Sequence, residues 1–498
     1  MTKTKTPRDA AAIILLRQNE ETSNTELFWV RRSIQLSFLG GYHAFAGGKL
    51  EKSDAEVSVA NSDDAEISSL IVCAAREAFE EIGVLLARGG EKLTRGQRAS
   101  LHDDLCSGRM TFGEILAHWG LWLDARDFEF AGAWITPPFS PVRFNTRFFL
   151  AVCPPKQEPY ISSGELESGE WISPQNALQK WQKGEILCAP QILNTLRVFA
   201  ETGNNSENRI QRLVSAAGAE GAHPRKIELN PRFTLFPLAT ETLPPATHTN
   251  CFIVGREKFV VIDAAARDEN EQIALHEFID SIIEAGGVCE EIIVSHLHSD
   301  HTGGELALQK HLLNKFNLKV PISAHRLTAE GLPQIRFDRF LEGGERLKLK
   351  DVKGENFELE ILHLPGHTRG HLCFYDAEIG FLLSSDNVVG TGSVLIAPPE
   401  GNMKDYLYSL GRMHDLPNLR FLCGSHGAAQ ANAFEKIESY IAHRLEREQK
   451  ILEAFNNGAK TPREIVERVY TDVKPELWHL AEKSIEAHLE KLRFDNLI

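Results

Sequence analysis

Three histidines and an aspartate crowd into HLHSDH, as His296, His298, Asp300 and His301, directly after the apolar run EIIVS. Imidazole and carboxylate at this density suit Zn²⁺, with Mn²⁺ or Fe as alternatives. Alternation along an extended segment points His296 and His298 the same way, and the turn that follows can swing Asp300 and His301 toward a second ion. His367 in LPGHTRGH, Asp386 in FLLSSDN and His426 in FLCGSHG extend the set, each after a short apolar run. Two ions about 3.5 to 4 Å apart could share a hydroxide that attacks an ester, thioester or phosphodiester. His363 and His371, four positions either side of His367, are assigned structural or supporting roles.

A second constellation lies in VCAAREAFEEIGV, Val72 to Val84. On a helix, Glu77, Glu80 and Glu81 share one face, while Val72, Ala75, Phe79 and Ile82 point largely into a core. Carboxylates gathered this way repel unless cations sit among them, and hard oxygen donors suit Mg²⁺ or Mn²⁺. Gly83 is expected to end the helix.

REAFEEIGV, with GGKLEKSD upstream, resembles the Nudix box. Gly48 and Arg76 stand 28 positions apart rather than the motif's 14, so an insertion of 14 residues, centred on the Asp/Ser/Ala-rich region Ala55 to Glu66, interrupts the box. Asp54 takes the place of the usual intervening Glu. RRSIQLSFLGGYHAFAGG and WITPPFSPVRFNTRFFLA resemble the branch acting on coenzyme A and its thioesters, although Leu36 stands where that signature expects a second Arg. The resemblance implies metal-assisted attack of water on a diphosphate. Glu77, Glu80 and Glu81 would hold the metals, Arg76 would orient the carboxylates, and Gly47 and Gly48 would let backbone approach the substrate. Glu165 or Glu167 of GELESGEWISP would be the catalytic base.

The histidine set is similar to the HxHxDH signature and later His, Asp and His of the metallo-β-lactamase fold. That resemblance implies His296, His298 and His367 on one metal and Asp300, His301 and His426 on the second, with Asp386 as the bridge. Asp300 counts among both the catalytic and the ligand candidates. TLPPATHTNCFIVG and the helical tail with REQKIL and HLEKL resemble the β-lactamase-like-protein-2 group, whose members are linked to single-stranded RNA cleavage. Glyoxalase II-like thioesterases share the same ligands.

The elements that must position these groups fall into three expected domains within 498 residues. Residues 1–200 form a Nudix α/β/α fold, 226–431 a metallo-β-lactamase αββα sandwich, and 432–498 a small winged-helix-like helical domain. The polar, Gly-rich stretch 201–225 is expected as a linker. In the tail, Thr461, Pro462 and Glu464 form a capping-box start, and Leu477, Leu480, Ala481, Ile485, Leu489 and Leu492 a helical stripe.

Composition bounds the functions. With 54 Lys+Arg against 69 Asp+Glu, the net charge of −15 disfavours a protein that coats duplex DNA. No apolar run reaches the roughly 18 to 20 residues that span a bilayer. The eight cysteines include no CxxC pair, as expected of buried thiols in a cytoplasmic protein. The expectation is a two-headed hydrolase acting on small phosphorylated or thioester substrates. An acyl-coenzyme A would lose its acyl group at one head and have its diphosphate cut at the other. Short single-stranded RNA, a homodimer and a binding protein with one idle site are the open alternatives.

Overall fold

The computed structural model describes residues 6–21, 24–36, 38–140, 142–162, 164–203, 205–219, 225–471 and 473–498. The chain divides into two compact units, Met1–Ile227 and Glu228–Ile498.

In the first unit the strand Arg8–Gln18 is the middle of a seven-stranded sheet, antiparallel to Thr25–Arg32 and parallel to Phe144–Val152. Successive strand residues face opposite sides, and here both sides are covered. Ala11, Ile13 and Leu15 pack with Leu70, Ala74 and Phe79 of the helix Ala65–Ile82. Ala12 and Ile14 face Trp181, Leu193, Leu196 and Phe199 from the helices Pro174–Gln182 and Pro190–Thr202. An α/β/α sandwich results. The carboxylate helix starts where Asp64 accepts the N–H groups of Glu66 and Ile67, and it stops at left-handed Gly83, as expected.

Two stretches carry structure that the sequence did not show. Within the expected insertion Ala55 to Glu66, the strand Val59–Ala60 pairs in parallel with Leu123–Asp124, and Asn61 donates to Asp124 at 3.0 Å. The insertion is thereby tied to later chain. The expected linker 201–225 carries the helix Ser206–Ala219, whose Leu213 is 1% exposed in the second core. One apolar stripe suffices to anchor an otherwise polar helix, and low average hydropathy conceals it. Residues 204 and 220–224 of that stretch lie outside the described residues.

The second unit carries a continuous twelve-stranded ladder with helices on two outer faces. Cys251, Ile253, Phe259, Val261, Ile292 and Val294 pack against the helices Glu269–Glu284 and Glu305–Phe316. On the other half, Leu362, Cys373, Tyr375, Leu382 and Leu422 meet the helices Met403–His414 and Ala433–Asn456. The intervening residues Phe252, Val260, Ile293, Phe374 and Phe381 are buried too. Strands covered on both faces read as unbroken apolar runs, and the arrangement is an αββα sandwich.

The boundary expected at 432 falls where the 24-residue helix Ala433–Asn456 begins. Its Ala433 and Ile437 belong to the sandwich core, whereas Ile451 and Ala454 join Ile465, Val466, Ile485, Leu489 and Leu492 of the helices Pro462–Val469 and Trp478–Phe494. One helix therefore serves two cores. The Thr461–Glu464 capping box is present, but Leu477 is 41% exposed in a 3-10 turn ahead of the last helix. Six cysteines are buried and all eight are free, with Cys106 exposed and Cys153 half-buried. Among the described residues no helix is long and apolar enough to cross a membrane.

Candidate metal centres

Donors of the histidine centre all follow strand ends. His296 and His298 come after Val288–Val294, His367 after Asn356–His363, Asp386 after Phe381–Ser385 and His426 after Phe421–Gly424. The chain needs uncommon backbone to leave the sheet there. Ser385 has φ 44° directly before Asp386. Gly366, before His367, has φ 133°, and a Cβ there would lie 2.2 Å from Tyr406 Cα, so no other residue fits.

Three nitrogens converge first. His298 Nδ1 is 3.1 Å from His296 Nε2 and 2.9 Å from His367 Nε2. Tetrahedral ligands about 2.0–2.1 Å from a zinc ion sit about 3.3 Å apart, so this trio is spaced for one ion. A second set surrounds His301 and His426. Asp386 Oδ1 lies 3.5 Å from His301 Nε2 and 3.4 Å from His426 Nε2, while its Oδ2 lies 3.6 Å from His367 Nε2. Asp300 is 3.6 Å from His426 Nε2 and 3.9 Å from His301 Nε2. One carboxylate, Asp386, thus faces both sets, and each set forms a donor group within 4.8 Å.

Hydrogen-bond acceptors behind the rings fix which nitrogen faces inward. His367 Nδ1 donates to the Leu395 carbonyl at 3.0 Å and His426 Nδ1 to the His248 carbonyl at 2.9 Å. His301 Nδ1 donates to Asp263 at 2.8 Å. Ser295 Oγ donates to Asp263 at 2.7 Å and accepts from His296 Nδ1 at 3.0 Å. With Nδ1 protonated, Nε2 is free to bind, the usual arrangement behind a metal-ligating histidine. Asp263 was not among the residues anticipated. Its signal was an acid closing the apolar run FVVID, the pattern that did draw notice at Asp386. His371 Nε2 accepts the Asp386 N–H at 3.1 Å, and His363 stacks on His325 with ring centres 4.0 Å apart, outside the donor set.

Electrostatics match a site built for cations. Burial, with His301 and His298 alongside, keeps His296 well below the ordinary imidazole range. Burial would also keep His301 neutral, but Asp386 and Asp263 raise it well above that range. Burial opposes ionisation of Asp386, yet His426 and His301 hold it well below the carboxylate range. His301 Nε2 and Asp386 Oδ1 are buried with no hydrogen-bond partner. Such orphans are uncommon, and a bound cation would satisfy both.

In the first unit Arg76 is the organiser. Its Nε and Nη2 clasp Asp54 at 2.8 and 3.1 Å, and its Nη1 reaches Glu77 and Glu80, both at 2.9 Å. Asp54 is 1% exposed and Arg76 5%. Glu81, on the same helix face as Glu77, accepts the Gly47 N–H at 2.9 Å. A Cβ on Gly48 would fall 2.3 Å from Glu77 Oε1. A larger residue at 48 would push that carboxylate from its place. Burial, opposed by Arg76, pushes Glu77 up to about 7; burial and Glu77 push Glu81 up to about 8. One guanidinium set against Asp54, Glu77 and Glu80 leaves room for a further cation.

The two base candidates have different surroundings. Glu167 pairs with Arg31 at 3.1 Å and accepts the Ile34 N–H at 3.4 Å. Glu165 instead lies in the field of Glu81 and of Arg32, whose guanidinium is lowered by burial against the pull of those two carboxylates.

Comparison with known proteins follows this division. A model of the metallo-β-lactamase superfamily matches residues 244–426, one of the NUDT19 Nudix domain matches 60–198, and one of the beta-lactamase associated winged helix domain matches 461–498. The chain is 27% identical to the beta-lactamase-like protein 2 homolog of Caenorhabditis elegans, over 50% of this chain and 80% of that one. It is also 27% identical to an atrochrysone carboxyl ACP thioesterase of Aspergillus novofumigatus, over 51% of this chain and 70% of that one. A crystal structure of a NUDIX hydrolase from Alicyclobacillus acidocaldarius is 31% identical, with 42% of this chain and 97% of that one covered and a TM-score of 0.37.

Proposed function

A Nudix domain joined to a metallo-β-lactamase-superfamily domain and its winged helix makes this chain a two-domain hydrolase, and we propose that its heads are a binuclear zinc thioesterase and a Mg²⁺-dependent diphosphatase. The observation that carries the first part is Asp386, whose two oxygens face the two donor sets. His296, His298 and His367 would hold one ion and Asp300, His301 and His426 the other. When bound, such a pair supplies positive charge that activates water and offsets the charge developing on an attacked carbonyl. The chain's own part is to hold four Nε2 atoms bare through Asp263, Ser295 and the Leu395 and His248 carbonyls. Water adds to the thioester carbonyl, the C–S bond breaks, and a thiol and a carboxylic acid leave.

In the Nudix head Glu77, Glu80 and Glu81 would bind Mg²⁺ or Mn²⁺, with Arg76 keeping Glu77 and Glu80 in place. Glu165 is the better base, because Glu167 is committed to Arg31. Water would attack one phosphorus of a diphosphate and the bridging P–O bond would break. The coenzyme-A-like segments beside Arg32 and Phe144 favour acyl-coenzyme A as a substrate the two heads share. A thioesterase among the relatives supports the same reading for the zinc head.

An assay of the full chain with acyl-coenzyme A and with a short single-stranded RNA decides the substrate class. We expect thioester cleavage that zinc chelation removes and zinc restores, absent from His298→Ala. RNA cutting lost in that variant, with thioesters untouched by wild type, would refute the thioesterase reading in favour of a nuclease.

A further inference from the structure

The helix Ala433–Asn456 reaches the segment that runs from Asp386 to the backbone behind His367. Tyr440 Oη accepts the Val389 N–H at 3.3 Å and donates to the Val389 carbonyl at 3.2 Å. One turn later Arg444, 4% exposed, donates to the Val394 carbonyl and lies over the Tyr406 ring at 5.4 Å. The next carbonyl along the chain, that of Leu395, receives the His367 Nδ1 proton. The near end of the segment is tied as well. Tyr406 Oη donates to the Asn387 carbonyl at 2.7 Å, and Asn387 Nδ2 to the Leu364 carbonyl at 2.8 Å.

Burying a guanidinium is costly unless strong partners compensate. Glu448, the carboxylate one helical turn further on, is engaged by His488 at 3.1 Å and Lys491 at 2.7 Å. The buried Arg444 is spent on a backbone carbonyl, where an apolar side chain would pack at lower cost.

We infer that Arg444 and Tyr440 are positioning residues of the metal centre, holding Val389–Val394 so that Leu395 fixes the ring of His367. The helix that leads into the winged-helix domain is then a working part of the site. The inference rests on the reading of this centre as a zinc site. Groups that orient a metal-ligating histidine are worth about 10- to 100-fold in metal affinity, and the same order is expected here.

The test is a zinc titration of the full chain against a chromophoric chelator, for wild type, Arg444→Met, Arg444→Lys and Tyr440→Phe, alongside thermal unfolding of the chelated proteins. Arg444→Met should weaken zinc binding about 10- to 100-fold, Arg444→Lys should recover part of it by donating to the same carbonyl, and Tyr440→Phe should weaken it with unfolding unchanged. Should Arg444→Met fail to fold, Tyr440→Phe decides, since it removes a single hydroxyl. Wild-type zinc affinity in Tyr440→Phe, or equal affinities in the Lys and Met variants, overturns the inference. Absence of zinc uptake by wild type overturns the metal-centre reading itself.

Discussion

Asp386→Ala is expected to lower hydrolysis by the zinc head at least about a thousandfold, equivalent to about 4 kcal/mol of transition-state stabilisation, with the protein still folded. Asp386 supplies the carboxylate facing both donor sets, 3.4 to 3.6 Å from His301, His367 and His426. Its removal leaves Asp300 as the carboxylate beside the inward nitrogens, on one side of the centre, with Asp263 behind the His301 ring. Two cations would then repel with less negative charge between them, so the change strikes metal binding and chemistry together. Steady-state thioester hydrolysis at saturating zinc, with metal content determined on the same samples, reads both effects. Diphosphate hydrolysis should be unaffected, because the Nudix carboxylates belong to a separate unit. A variant retaining a tenth or more of wild-type thioester turnover would show that Asp386 is not the shared ligand.

Arg76→Met is expected to remove diphosphatase activity and to destabilise the carboxylate helix by about 3–5 kcal/mol, the usual consequence of stranding one partner of a buried ion pair. Asp54, 1% exposed, would keep a buried charge with no cation against it, and Glu77 and Glu80 would lose the group that holds them. Arg76→Lys should recover little, since an ammonium cannot reproduce the two-pronged contact with Asp54. Amide exchange in Ala65–Ile82, followed in the full chain, should accelerate by the factor that free energy implies. Exchange as slow as in wild type would mean that Arg76 only decorates the helix.

HLHSDH and REAFEE were legible in the sequence because their candidate donors sit at short, regular spacings. HLHSDH places four donors within one turn and its approach, and REAFEE places three carboxylates on one helix. Arg76 was expected to orient its carboxylates, but its partner and the acid behind His301 were hidden, because they arrive from far along the chain. Asp263 lies 38 residues before His301, and Arg76 pairs with Asp54 across the insertion. Neither contact follows from local periodicity. Glu81 shows a finer limit: helical geometry puts it on the face of Glu77, but its hydrogen bond from the Gly47 N–H comes from 34 residues away. What packs beside the expected domain edges was hidden for a related reason. The helix Ser206–Ala219 lies within the expected linker and is anchored by Leu213, and the helix Ala433–Asn456, starting at the expected boundary, is anchored to the preceding core by Ala433 and Ile437.

The central claim is that one chain holds a transition-metal pair in its histidine centre, independent of its Nudix carboxylates. Elemental analysis of purified full-length wild type, His298→Ala and Glu80→Gln, after dialysis against Mg²⁺, addresses it directly. The account predicts about two transition-metal ions per chain in wild type and in Glu80→Gln, and clearly fewer in His298→Ala. A full complement in His298→Ala, or none in wild type, would contradict it.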